Sequence, residues 1–181
     1  MREWIPISTS PKGRLALTAI REFGARSFDE VTVSELAAAS EVTTGAIYHH
    51  FGSKLGLYEF VRADVERRLL DRIEGALAAG PRTDSSVEQA LLVGFDFAVR
   101  EGLPRLLGAP PAAAEHDRLV EVIGDSVTSP ILGQVLAAAW RAAVAAVADG
   151  AEREIARAAL QALRLRVETS PTDPSTSSSL Q

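Results

Sequence analysis

The chain has no cysteine among its 181 residues, which excludes disulfides and thiolate metal sites outright. It has three histidines, two of them adjacent, and no nucleophile–base pair, metal constellation or glycine-rich phosphate loop. Enzymatic chemistry is therefore disfavoured. A cationic excess is also missing. The formal net charge is −5, with six basic against seven acidic side chains over residues 1–60 and 13 against 17 beyond. Such a chain is no general polyanion binder, and contact with DNA would rest on a few placed cations, Lys12, Arg14 and Lys54, with amides and hydroxyls. The opening MREWIPISTSPKGR lacks an apolar signal-peptide core, and no run approaches the roughly 18 to 20 uninterrupted apolar residues of a membrane span. The longest apolar run, AAVAAVA after Arg141, is short and alanine-rich. A soluble, cytoplasmic chain without cofactor, metal or membrane partner is the expectation. Its 46% hydrophobic residues suffice for one or two cored units.

What is present centres on Thr32 to Lys54, TVSELAAASEVTTGAIYHHFGSK. Leu36, Ala37 and Ser40 share one side of a first short helix. Val42 breaks it, and Thr43 starts a second helix, with its hydroxyl offered to the free amides two or three residues on. Ile47 and Phe51, four apart, bury one side of that helix; Thr44, Gly45, Tyr48 and His49 occupy the other. Small residues in the first turn, Thr43, Thr44, Gly45 and Ala46, let the backbone approach bases and phosphates closely. Hydroxyls there can bond phosphate oxygens or base edges, and methyls can meet a thymine methyl. Tyr48, His49 and His50 offer donors to phosphate, and Lys54 adds a charge at the next helix start. The competing reading of this spacing is an ordinary helical pair with a solvated surface.

The segment VTTGAIYHHFGSK resembles the recognition helix of the TetR family of bacterial transcriptional regulators. There a hydroxyl caps the recognition helix, Gly follows two residues later, and a Tyr-x-His-Phe run leads to a Lys. Here these are Thr43, Gly45, Tyr48, His50, Phe51 and Lys54. AIREFGARSFDEVTVSELA fits as well, with Phe23 in helix 1, a connection ending in Phe28, and Thr32 capping helix 2. The resemblance covers roughly residues 10–60. Two departures stand out: Ser27 and Glu41 occupy turn positions that the family usually gives to glycine. A non-Gly residue at positive φ costs on the order of 1 kcal/mol, so either the turns differ here or the strain is accepted.

Along the chain, residues 1–9 read as a loose arm. Ser10–Pro11 starts helix 1, which buries Leu15, Ala19 and Phe23 beside Ile20. Lys12 and Arg14 lie at its exposed end, reaching phosphate or simply solvated. A long helix is expected from about Lys54 to Ala79, ended by Gly80 and Pro81, with Leu57, Phe60, Val61, Val65, Leu69 and Ile73 as its stripe. Arg67, Arg68, Asp71 and Arg72 fall on its wet side. The helix from Val87 to Arg100 is apolar nearly all round, with Asp96 turned to water or, alternatively, to a buried partner. Residues 102–111 read as a break, and His116 to Gly124 as a short helix. Pro130 opens a helix to about Ala148, whose Leu132, Leu136, Ala139, Trp140, Ala143 and Val147 form a wide apolar face. A last helix, Ala151 to Val167, presents Ile155, Ala159, Leu160 and Leu163. Two such broad faces are covered either within one chain or by pairing two copies as a four-helix bundle. The resemblance implies the latter. From Glu168 onward the chain reads as a disordered tail.

The expectation is thus an all-α protein: a helix-turn-helix head over residues 10–53, a ligand-sensing and dimerisation body over 54–167, and a tail over 168–181. Its DNA-facing residues would be Thr32, Thr43, Thr44, Gly45, Ala46, Tyr48, His49, His50 and Lys54. Its dimer interface would be Leu132, Leu136, Ala139, Trp140, Ala143, Val147, Ile155, Ala159 and Leu163. The resemblance implies a homodimer on a palindromic double-stranded operator, released as a repressor by a small-molecule effector. An apolar pocket around Leu69, Phe95, Phe97 and Trp140 would make that effector mostly apolar. The alternative is a dimeric helical interaction module without specific DNA binding.

Overall fold

A computed structural model describes residues 10–79, 84–111, 116–127 and 129–163; the expected N-terminal arm, the tail, and the Gly80–Pro81 stop lie outside them. Among the described residues the structure is all-α, without a strand. The first helix, α1 (Pro11–Ala25), begins where Ser10 accepts from the amide of Gly13 at 3.0 Å and proline takes the first helical position. It leaves through an extended Arg26, φ −128°. The position of Ser27 therefore needs no left-handed residue: its amide and hydroxyl instead donate to Glu30 Oε2 at 2.8 and 2.7 Å. The other departure goes the opposite way. Glu41, between α2 (Val33–Ala39) and α3 (Thr44–Phe51), has φ +54° and is the only non-glycine with positive φ among the described residues.

The long helix α4 (Lys54–Ala78) is capped by Ser53, which accepts from Gly56 N at 2.9 Å. At 1.5 Å per residue it runs about 38 Å. Its first turns pack on α1 and α3, and its later ones on α5 (Asp84–Arg100). A short α6 (Pro104–Gly108) stands inside the segment expected to be a break. It is followed by α7 (Arg118–Gly124), α8 (Pro130–Ala148) and α9 (Arg153–Gln161). The start of α7 is two residues later than expected, because Asp117 is its cap and accepts from Val120 N at 3.2 Å. Residues beyond 163 in the expected last helix lie outside the description.

One apolar cluster runs without a break from Leu15, Phe23 and Ile47 through Leu57, Leu69 and Phe95 to Trp140 and Leu160. Close backbone approach ties the first helix to the body: a β-carbon on Gly24 would lie 2.3 Å from the carbonyl oxygen of Gly102, so only hydrogen fits.

This packing corrects several expectations. Leu69, Phe95, Phe97 and Trp140 belong to the packed core; each is 3% exposed or less, and Trp140 Nε1 donates to the carbonyl of Leu91 at 3.0 Å. Leu136 and Trp140 face inward rather than toward a second copy, and Leu132, Ala143 and Val147 are half-buried against the same core. The outward side of α8 is instead Ile131, Val135, Ala138 and Ala142. Ile155 in α9 and Leu163 just past its end, expected inward, are 62% and 40% exposed, and Ala159 is exposed with them. Asp96 has a partner: Arg157 Nε lies 3.0 Å away, across 61 residues of chain. On α4, Arg67 and Arg68 are not merely solvated, since both pair with the buried carboxylate of Asp64. By length and composition α8 could cross a membrane, although Gln134 and Arg141 interrupt it. It packs against α5, α6, α7 and α9, and its Arg141 is buried with both guanidinium nitrogens 2.7 Å from Asp117. Burial pushes the Asp117 carboxyl up, but the bonds and charge of Arg141 with the amides of Val120 and Leu119 together outweigh it and hold the group below its usual range.

Candidate nucleic-acid interface

The turn of the helix-turn-helix is held from outside it. Arg14, on α1, donates from Nε to the carbonyl of Ser40 at 3.0 Å and from Nη2 to that of Glu41 at 3.4 Å. The buried hydroxyl of Ser40 donates to Leu36 O at 2.6 Å, and Val42 N reaches back to Ala37 O at 3.0 Å. Lys12 stands over the rings of Phe51 and Phe60, 5.7 and 4.9 Å from their centroids. Lys54 folds inward: its Nζ donates to the carbonyls of Phe28 and Val31 at 2.9 and 3.0 Å and lies 4.0 Å above the Phe28 ring. Phe28 in turn meets Tyr58 and Phe23 at 5.2 and 5.9 Å. The three cations expected to meet phosphate are therefore built into the head, where they fix α1, the turn and the start of α4. Sequence alone gave no signal for this, because each bond crosses more than twenty residues.

The residues expected to face DNA divide into two groups. Ile47 is buried and anchors α3; Thr43, Thr44, Gly45, Tyr48 and His49 stand on its open side, with Tyr48 55% exposed. Ala46 and His50 are half-buried at the edge, His50 with its ring 4.9 Å from that of His49. Thr43 holds the cap position but makes no side-chain cap bond, so the expected capping role is corrected while its hydroxyl stays on the surface. Thr32 and Lys54 belong to the second group. The Thr32 hydroxyl accepts from Glu35 N at 3.2 Å and the Thr32 amide donates to Glu35 Oε2 at 2.8 Å, a complete capping box, while the hydroxyl also donates to that oxygen at 2.7 Å. Those bonds and Arg26 hold the Glu35 carboxyl down to about 2. Thr32 and Lys54 position the helices; the face that projects from the fold is the first two turns of α3.

A compact trihelical head with an exposed second helix of the pair, set on a helical body by one long helix, defines a helix-turn-helix protein. Residues 17–61, the head and the start of α4, match the family model described as bacterial regulatory proteins, tetR family. It is 35% identical over 95 residues to the nucleoid occlusion factor SlmA of Shewanella woodyi, covering 52% of this chain and 48% of that protein. Against the HTH-type transcriptional regulator BetI of Escherichia coli it is 32% identical over 81 residues, covering 45% and 40%. The chain spans about half the length of the curated relatives it matches. Over the whole fold it is similar to a TetR-like transcriptional regulator from Rhodococcus (TM-score 0.67, 21% identity, 90% of this chain and 96% of that one). A TetR-family regulator from Pectobacterium atrosepticum is similar too (TM-score 0.66, 19% identity, 89% and 94%). At these identities the likeness is one of fold. BetI and both solved structures carry names of transcriptional regulators.

Proposed function

We propose that the chain is a dimeric DNA-binding transcriptional regulator, with residues 10–53 as its reading head and the following helices as a sensing and dimerisation body. The observation that carries this reading is the open face of α3: Thr43, Thr44, Gly45, Tyr48 and His49 project together from a turn clamped by Arg14. Such a face suits the major groove, where hydroxyls and ring donors meet base edges and phosphates. With Lys12, Arg14 and Lys54 engaged inside the head, affinity rests on these contacts and on helix-end amides rather than on a cationic surface. Two heads then act together on a palindromic operator. The face that a second copy covers is Ile131, Val135 and Ala142 on α8 with Ile155 and Ala159 on α9 and Leu163 just beyond it. Release by an effector follows if the ligand prefers the body conformation that misplaces the heads, and by no more than that preference.

The test is binding of the purified protein to DNA upstream of its own gene against scrambled DNA as salt is varied, with Thr44→Val and Tyr48→Ala as variants. Selective binding at a dimer per site, lost in both variants while the dimer persists, supports the reading. Equal, feeble binding to both DNAs counts against it and favours the interaction-module alternative. The likeness to a nucleoid occlusion factor favours a second reading, nucleoid-related DNA binding rather than control of a promoter. Mapping occupied sites across the genome separates the two.

A further inference from the structure

The helix α9 carries more apolar surface than its own chain covers. Among the described residues only Ala156 and Leu160 of this helix are buried, while Ala158 and Ala159 are exposed and Ile155 is 62% exposed. At about 100° per residue, the arc from Ala158 through Ile155 to Leu160 is apolar without a break and spans about 200°. Nothing in that pattern chooses which part of the arc meets the core. Burial alone favours a rotation of about 80° that turns Ile155, Ala159 and Leu163 inward in place of Ala156 and Leu160, because it exchanges an alanine for an isoleucine. The structure has the other rotation, and a polar contact holds it there. From the flank of α9, Arg157 directs a fork at Asp96 of α5: Nε lies 3.0 and 3.3 Å from the two carboxylate oxygens, and Nη2 lies 3.2 Å from Oδ2. Arg153, one turn earlier, adds Nη2 at 3.4 Å from Oδ1. Arg157 and Asp96 are 33% and 32% exposed, so the attraction is partly screened, yet a planar fork fixes direction as a lone ammonium contact does not. The inward rotation would carry the outer edge of the helix about 7 Å sideways, moving both arginines off Asp96 and opening the fork.

We propose that Arg157, with Arg153 beside it, is a positioning residue: its fork to Asp96 fixes the rotation of α9 and so keeps Ile155, Ala159 and Leu163 outward for a second copy of the chain. The occupant rests on the dimer reading above and on continuity, since Ala142 of the outward side of α8 lines one groove with Ile155, Ala159 and Leu163. In the opposite rotation α9 would close that groove with its own side chains and leave the chain a monomer. The polar pair thus selects one of two packings between which the apolar pattern does not discriminate.

The chain has no cysteine, so a single introduced thiol reports on one position of the full chain. Ala156→Cys and Ala159→Cys are made separately in the native background, in Asp96→Ala and in Arg153→Gln/Arg157→Gln, and the rate of maleimide labelling is read. Dimer dissociation is measured by sedimentation on the same backgrounds without the thiol. In the native background the thiol at position 156 should react slowly. In both fork variants it should react about tenfold faster or more, and the thiol at position 159 should be the slower of the two. Helix content by circular dichroism should be unchanged, and the dimer Kd should rise about tenfold or more. The two fork variants move the net charge in opposite directions, so a general charge effect would drive them apart. Continued protection of position 156, or a dimer of native strength in the fork variants, would overturn the assignment. Fast labelling at both positions, with or without loss of helix, would also overturn it, because α9 would then be detached rather than turned. A native chain that sediments as a monomer at every concentration refutes the dimer reading, while the labelling pattern alone still decides whether the fork sets the rotation.

Discussion

Replacing Glu41 by glycine should make this protein more stable. The residue sits at φ +54° in the turn between α2 and α3, where a β-carbon crowds the following carbonyl at a cost of roughly 1–2 kcal/mol. Glycine removes that cost but loses more backbone freedom on folding, about 0.5–1 kcal/mol. The net gain is therefore about 0.5–1 kcal/mol. Little else changes, because Glu41 is exposed and what holds it is backbone: its amide to Ala38 O at 3.1 Å and its carbonyl to Arg14. For a chain of this length such a gain raises Tm by roughly 1–4 °C. The assay is thermal and urea unfolding at one fixed protein concentration, since association would shift both midpoints. Glu41→Ala is the control: it removes the same charge yet keeps the β-carbon, so it should gain nothing, and Glu41→Asn should fall between the two. Glycine no more stable than alanine would refute the strain argument.

Lys54→Met should unfold the head more easily by about 1–3 kcal/mol, because the carbonyls of Phe28 and Val31 lose their donor. The salt dependence of DNA binding should be unmoved; a fall in slope of about 0.9 per protomer would return Lys54 to the phosphate contacts. Glu35, held at about 2 in the fold by the Thr32 hydroxyl, the Thr32 amide and Arg26, has a depressed pKa. Its contribution is thus complete above its ordinary unfolded value near 4.5 and is lost as pH falls toward 2. Thr32→Val should lift the Glu35 titration seen by NMR toward 4.5 and flatten acid unfolding in that window, and an unmoved titration would show the capping box to be irrelevant. Gly24→Ala, which sets a β-carbon 2.3 Å from Gly102 O, should cost about 1–3 kcal/mol by overpacking; unchanged stability would mean that α1 and the α5–α6 turn separate freely.

What could be read without coordinates was local. The Ser10–Pro11 start, the apolar spacings of Leu15, Ala19 and Phe23 in α1 and of Ile47 and Phe51 in α3, and the single long α4 each depend on residues within a few positions. Caps and periodicity are written at that range. The rotation of α8 was not legible for a related reason. In PILGQVLAAAWRAAVAAVA almost every side is small or apolar, so the spacing fits a stripe through Leu136 and Trp140 whether that stripe faces the core or a second copy. Burial of Trp140 against Leu91 decides for the core and turns Ile131 and Val135 outward.

The partners of the cations were not legible, because charge is visible in a sequence and the destination of a long side chain is not. Arg14 reaches Ser40 across 26 residues, Lys54 reaches Val31 across 23, and Arg141 reaches Asp117 across 24. The consequence is functional under the proposed reading. A head that commits Lys12, Arg14 and Lys54 to its own rings and carbonyls gives up part of the salt-dependent attraction that most DNA binders use. In return, the angle of α3 is fixed from α1 and α4 before any DNA arrives. Discrimination then falls to short contacts from Thr43, Thr44, Tyr48 and His49, which a mismatched groove leaves unmade. A chain with a net charge of −5 can still select a site on these terms, because non-specific affinity is weakened more than the contacts that read the bases.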